Sequence, residues 1–231
     1  MFGEFMSNIV KKNDDIVIIS KGVGVPSQPD KSGAPDAMSM TGEELSSLGE
    51  KSTLYPIHRL DRGVGGLLLF ARNKKSAAEL SAKVSGEGIG KEYFAILEGV
   101  PELRVGRLTD YLIKDSVLKL ARVASKDKKD AKLAVLDYEL LSTAHTPKGE
   151  RSLVRVRLST GRFHQIRAQF SSRGLSLLGD RKYGSREVRY REPALFAYRL
   201  SFELFGKSFD ASALPDLTAY PWSLFSSEFY K

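Results

Sequence analysis

Residues 57–72 read IHRLDRGVGGLLLFAR. Four ionisable groups, His58, Arg59, Asp61 and Arg62, crowd a glycine-rich bend immediately ahead of an unbroken apolar run. A turn that only reverses the chain needs none of them. A carboxylate held among cations can serve as nucleophile or base, and the cations suit a negatively charged ligand. Gly63, Gly65 and Gly66 allow a sharp bend or the close approach of a ligand. A second group lies in GRFHQIRAQF (161–170). On a helical wheel of about 100° per residue, Phe163, Ile166 and Phe170 form a narrow apolar stripe, and Arg167 lies only about 60° from its centre. An arginine at the edge of a buried face needs an anionic partner, because an unpaired buried charge is costly. Asp61, the acid within its own basic loop, is the obvious candidate. Such a pair either braces the fold or holds Asp61 ionised and oriented, lowering its pKa through charge and bidentate hydrogen bonds.

With Arg59 and Arg62, the turn STGR (159–162) suggests a cleft that accepts an anion, with Arg162 at its edge. His58 and His164 are two of three histidines, and the chain has no cysteine. Neither histidine has a partner at metal-ligand spacing, so no metal site is expected and both read as neutral hydrogen-bonding or phosphate-contacting groups. HRLD superficially matches a protein-kinase catalytic loop, but the following Asn and a D-F-G are missing, and no G-x-x-x-x-G-K-[ST] occurs.

These residues need a frame. DDIVIISK (14–21) reads as a strand followed by a Gly/Pro-rich loop, and residues 30–53 as a flexible connection with room for one helical turn. GGLLLFAR (65–72) suits a central strand covered on both faces. Asn73 is placed to cap a helix over KKSAAELSAKVSGEG, with Ala77, Leu80 and Val84 at helical spacing and Gly86 and Gly88 to stop it. KEYFAILEGV (91–100) is a strand, and antiparallel strands follow through residue 142, interrupted by the charged loop SKDKKD, whose lysines read as solvated. RSLVRVRLST (151–160) alternates as a strand with a basic face. GRFHQIRAQFSSRG reads as a helix ended by Gly174, LFAYRLSFEL (195–204) as a strand, and the tail as aromatic and irregular. The fold class is α+β: a single catalytic domain over 1–231 with a mixed, mainly antiparallel sheet, flanking helices and a central cleft. Residues 1–6 read as disordered or a cloning remnant.

At 231 residues with 42% hydrophobic content the chain can bury a full core. A formal charge of +8 makes polyanions, above all nucleic acid, plausible partners. The absence of cysteine excludes disulfides, thiolate metal sites and cysteine nucleophiles. No apolar run reaches the roughly 18 residues of a membrane span, and no signal-peptide pattern is present, so a cytoplasmic protein without membrane contact is expected. No exposed apolar helix suggests an interface, which favours a monomer.

At this point HRLDRGVGGLLLFAR resembles the catalytic motif of the RluA-type RNA pseudouridine synthases, H-R-L-D-x-x-T-S-G-L-L-L. KEYFAILEG is similar to their K-x-Y-x-A-x-V-x-G strand. LSTGRFHQIRAQFSSRGLSLLGDRKYG is similar to L-x-T-G-R-x-H-Q-I-R…G-x-P-L-x-G-D-x-x-Y-G. Three motifs stand in the family's order, and the resemblance runs from about residue 9 to about 206. It implies a catalytic Asp61, an active-site Tyr93 stacking on the base, Arg167 as the basic partner of Asp61, and RNA contacts from His58, Arg59, Arg62, Arg162 and His164. The implied reaction breaks the uridine N1–C1′ bond, turns the base and rejoins it through C5, without cofactor or metal, in ribosomal or transfer RNA. Asp61 would attack C1′ or C6, or take a proton from C2′. An N-terminal S4 domain, which some members carry, is not expected.

The chain departs from the pattern in three places. Val64-Gly65 stand for Thr-Ser, Gly22 replaces the Pro of K-P-x-G, and Ser176-Leu177 with an extra Leu178 replaces P-L. The first departure keeps open a non-catalytic RNA binder or folding helper, but the presence of Asp61, Tyr93 and Arg167 together favours an enzyme.

Overall fold

The structure is a computed structural model that describes residues 8–84 and 88–230. In chain order its elements are β1 (Asn8–Lys12), β2 (Ile16–Lys21), α1 (Ala37–Ser47), β3 (Tyr55–Pro56), β4 (Gly65–Ala71) and α2 (Lys74–Val84). Then come β5 (Ile89–Glu98), β6 (Val105–Asp115), β7 (Leu120–Ala124), β8 (Lys132–Thr146) and β9 (Gly149–Leu158). Helix α3 (Gln165–Ser171), β10 (Leu195–Leu204) and β11 (Lys207–Ser212) complete the set. The class is α+β with a mainly antiparallel sheet, as expected. No helix among the described residues is long and apolar enough to cross a membrane. The chain forms two compact units, one of Met1–Ile89 with Ala197–Ala213, the other of Gly90–Phe196 with Leu214–Lys231.

In the first unit the strands run in the order β1-β2-β4-β10, with β3 added to β4 and β11 to β10. All seven residues of β4 are buried, which is what its uninterrupted apolar run requires. It pairs antiparallel with β2, from Ile16 opposite Ala71 to Lys21 opposite Gly66. Ile16, Ile18, Leu67, Leu69, Leu80, Leu200 and Phe202 make one core, each aliphatic side chain contributing ~1.5–3 kcal/mol through burial. The Asn73 cap is present, its Oδ1 accepting from Ser76 N at 2.8 Å. Helix α2 is described to Val84, and the Gly86 stop lies outside the described residues, as do residues 1–6.

Two elements differ from the sequence reading. Residues 37–47 form an eleven-residue helix, not a single turn. Asp36 caps it by accepting from Met38 N and Ser39 N at 3.1 and 3.0 Å, and Ala37, Thr41 and Leu45 recur every four residues as its buried face. Residues 207–212, expected to be irregular, form β11, because Phe205 and Gly206 both take positive φ (51° and 73°) and close a two-residue hairpin.

The second unit orders its strands β5-β9-β8-β6-β7, every pair antiparallel, with a register shift between Leu140 and Ser142. On β9, Arg155 and Arg157 alternate outward from buried Val154 and Val156, but Arg151 is buried, its Nη1 donating to the carbonyls of Lys148 and Glu150. The basic face is therefore shorter than the alternation suggested. Helix α3 begins only at Gln165, after His164 in a left-handed conformation (φ 50°), and residues 165–170 are all buried. The expected stripe thus loses Phe163, and α3 has no solvent-facing side along those six residues. Its end is as expected: Gly174 takes φ 74° while Leu175 N bonds to Phe170 O. Near the C-terminus Trp222, the chain's one tryptophan, is buried edge-on against Phe196 and Tyr230.

Among the described glycines of the first unit, Gly66 makes the tightest approach to other backbone. It has φ 113°, and a Cβ on it would lie 2.3 Å from Ala197 O and 2.5 Å from Ala197 N. Gly66→Ala should therefore lower the unfolding free energy by ~3 kcal/mol or more, counting strained φ and overpacking together. Urea denaturation followed by circular dichroism measures it.

Candidate active site

The HRLD loop lies in the first unit ahead of β4, and its geometry is set by backbone anchors. Ser27 Oγ donates to Leu60 O (2.8 Å) and accepts from Leu60 N (3.0 Å). Val64 N bonds to Asp61 O at 3.0 Å, closing a turn around the carboxylate residue, which is half-buried. The carbonyl of Arg62 accepts from Gly24 N at 2.8 Å, and Arg62 Nε returns a bond to Gly24 O at 2.8 Å. Lys21, only 3% exposed, donates to the carbonyls of Gly22, Val25 and Arg62 at 2.9, 2.8 and 3.3 Å. Its ammonium thus ties the 22–25 loop to the HRLD loop. Lys21 and Ser27 were not singled out from sequence, since nothing in their local pattern marks a residue that bonds a loop about 35 positions away.

The loop's own candidates divide by role. Arg59 and Arg62 are exposed. His58 accepts from Leu69 N through Nε2 at 3.2 Å, so this ring nitrogen is unprotonated and aimed at β4. Val64 is 1% exposed. A valine in place of the family's threonine is thus an apolar residue in an apolar position, and removes no hydroxyl from solvent.

The remaining candidates lie in the second unit. Tyr93, 7% exposed, stands on β5 opposite Val156. The turn before α3 is held by Gln165, whose Oε1 accepts from Thr160 Oγ1 (2.8 Å) and Arg162 N (2.9 Å) while Nε2 donates to Val135 O (3.1 Å). Arg162 is exposed, and its Nε donates to Leu133 O at 2.8 Å. Beside it a groove of about 460 Å³ is lined by Lys114, Lys132, Arg162 and Phe163, with Asp130 the acid among its lining residues.

Arg167 is 6% exposed and forms a fork with Asp180, Nε to Oδ2 at 2.6 Å and Nη2 to Oδ1 at 2.8 Å. The helical wheel calls for a carboxylate beside Arg167, with Asp61 as its candidate; Asp180, in the G-D pair of GDRKYG, is a partner that helical spacing does not reveal. Arg167 also lies over the Tyr183 ring, 5.0 Å from its centroid. Tyr183 Oη accepts from Ala121 N at 2.6 Å and lies 3.0 Å from His164 Nδ1. His164 in turn stacks on Phe163 at 3.8 Å, and Lys114 Nζ is 4.9 Å from the Phe163 centroid. Phe163, expected on the helix, instead continues this ladder outward to the groove.

The segment after Asp180 is pinned by Glu187. Burial raises the pKa of its carboxyl, but hydrogen bonds from Arg189 N, Lys148, Tyr220 and Val188 N outweigh that and bring it down to about 2. Among the described residues no group of three or more His, Asp or Glu side chains is placed to hold a metal ion.

Residues 15–172, more than half of the chain, match the family model described as RNA pseudouridylate synthase. The ribosomal large subunit pseudouridine synthase D of Zymomonas mobilis is 30% identical over 221 residues, 89% of this chain and 68% of that protein. An uncharacterized RNA pseudouridine synthase of the same organism is 40% identical over 177 residues, 75% of this chain and 76% of that protein. Among solved structures, the human RNA pseudouridylate synthase domain containing 1 superposes with a TM-score of 0.76 at 20% identity, covering 96% of this chain and 89% of that one, a likeness of fold.

Breaking the Arg167–Asp180 pair takes both fork bonds from a buried guanidinium. Asp180→Ala should cost ~3–5 kcal/mol in urea unfolding. Glu187 is tested by pH. Its folded pKa lies below the ordinary 4.5, so its stabilisation is complete above pH 4.5 and disappears as pH falls towards 2. The stability difference between wild type and Glu187→Gln should be largest at neutral pH and shrink across that window.

Proposed function

Given that the chain belongs to the RluA-type RNA pseudouridine synthases, isomerases that act on RNA, we propose that it converts a specific uridine of large-subunit ribosomal RNA to pseudouridine, with Asp61 at the reaction centre and no cofactor. The observation that carries this reading is Asp61 itself, a half-buried carboxylate in a loop fixed by Lys21 and Ser27. Such anchoring keeps a nucleophile or base aimed without cost at the moment of reaction. The ionised Asp61 attacks C1′ or C6 of the uridine, or removes the C2′ proton. Tyr93 stacks on the base, and Arg167 acts as the cation of the same reaction; their place in the family's motifs joins them to Asp61. Ribosomal RNA is favoured over transfer RNA by relatives named for the large ribosomal subunit. The protein works as a cytoplasmic monomer in this reading.

The target uridine must leave its stack, at a cost of a few kcal/mol. Phosphate contacts from Arg59, Arg62 and Arg162 offset that cost, so binding should weaken as a power of salt concentration. The test is tritium release from RNA carrying 5-tritiated uridine, with ribosomal and transfer fractions assayed separately. Wild type should release tritium from the ribosomal fraction, and Asp61→Asn should reduce release by at least ~10²-fold while leaving RNA affinity within a few-fold. Salt-sensitive binding with no release from either fraction would replace this reading with that of an RNA binder.

A further inference from the structure

Lys91 opens the KEYFAILEG strand and has no role in the reaction as derived. It is 7% exposed, yet it makes no hydrogen bond and no ion pair among the described residues. The contrast with Lys21 is direct, since that equally buried ammonium reaches three carbonyls. Among the described residues the fully enclosed side-chain atoms without a partner are Arg72 Nε and Gln169 Oε1, so the Lys91 ammonium retains an opening to solvent. Burial alone pulls its pKa below that of an ordinary lysine, with no carboxylate acting on it. A buried cation in this state lacks an anionic acceptor that the protein does not supply.

Its surroundings indicate where that acceptor enters. A Cβ on Gly161 would lie 3.4 Å from Lys91 Nζ. Gly161 has no positive φ, so the backbone does not require glycine there; what the missing methyl provides is an uncovered ammonium. Gly161 is exposed and precedes the exposed Arg162. Lys91 and Tyr93 are two apart on β5 and share a face, about 6.7 Å from each other along the strand. A cation and an aromatic ring rooted two residues apart on one strand face can serve the phosphate and the base of one nucleotide.

We propose that Lys91, uncovered by Gly161, is a phosphate subsite: its ammonium donates to a backbone phosphate oxygen of the RNA substrate, next to the base held by Tyr93. This rests on the synthase reading above and adds a substrate-contacting residue to it. The same chemistry would accept a free phosphate ion, so the probes separate the two sources.

The test is brief acetylation of the native protein with acetic anhydride, with modification of Lys91 read by mass spectrometry, alone and with millimolar uridine 5′-monophosphate, uridine or inorganic phosphate. Uridine 5′-monophosphate should slow labelling several-fold, inorganic phosphate less, and uridine not at all. Gly161→Ala, whose added methyl fits at ordinary contact distance, should abolish that protection. Lys91→Met should weaken uridine 5′-monophosphate binding roughly ten- to a hundredfold, yet unfold at the same or higher urea concentration, because an apolar side chain replaces an unpaired buried charge. Protection by uridine equal to that by its monophosphate would overturn the subsite, as would unchanged monophosphate binding in Lys91→Met or a lowered urea midpoint. Protection equal to that of the monophosphate from inorganic phosphate would make it a site for the free ion and overturn the substrate role. Tritium release by a wild-type protein with no phosphate protection would overturn the subsite and leave the synthase reading standing. Protection without tritium release would sustain the subsite and remove the reading it was built on.

Discussion

The buried fork between Arg167 and Asp180 is the interaction around which the second unit is organised. Neither charge can stay at its depth alone, so the helix that carries one and the loop that carries the other must be placed together. The consequences run outward through hydrogen bonds. Asp180 O receives the amides of Tyr183 and Ser185; Ser185 Oγ receives Gly179 N and donates to Glu98 on β5; Tyr183 reaches β7 through Ala121 N. A single ion pair thereby fixes the aromatic ladder from Tyr183 through His164 and Phe163 to the surface groove. This is a site-building use of a buried pair, since an apolar substitute of equal volume would fill the space without orienting the ring or the loop.

Where the sequence was readable, it was because one periodicity ruled. The apolar run of β4 suited a strand buried on both faces, and Asn73 stood where a helix cap belongs. What escaped was built from bonds between distant positions. Helix α1 is short and mostly polar, and its Asp36 cap was hidden in a stretch rich in Ser and Gly. Strand β11 depends on two residues with positive φ, one of them Phe205, which composition argues against. The motifs singled out Asp61, Tyr93 and Arg167, while the helical wheel required an anion for Arg167 without pointing to Asp180. Lys21, Ser27 and Gln165 act through carbonyls and amides far along the chain, and periodicity carries no signal for that.

The two buried lysines show how a basic chain divides its charge between folding and binding. The Lys21 ammonium is saturated by backbone carbonyls and holds loops together, so its charge is invisible to a ligand. Lys91 has the desolvation without the compensation, the pattern by which binding sites trade stability for function. Exposed arginines such as Arg59 and Arg62 belong to a third class, open to solvent and to screening by salt.

The placement of Trp222 has an optical consequence. It is the chain's one tryptophan, it is packed against Phe196 and Tyr230, and no cysteine competes for labelling chemistry. Indole emission, excited beyond the tyrosine band, therefore reports the environment of the second unit alone, while the far-ultraviolet dichroism reports both. Any difference between the two signals during denaturation would measure how far the two units melt as one. A cysteine introduced at an exposed position of the first unit would accept a dye as the chain's one thiol.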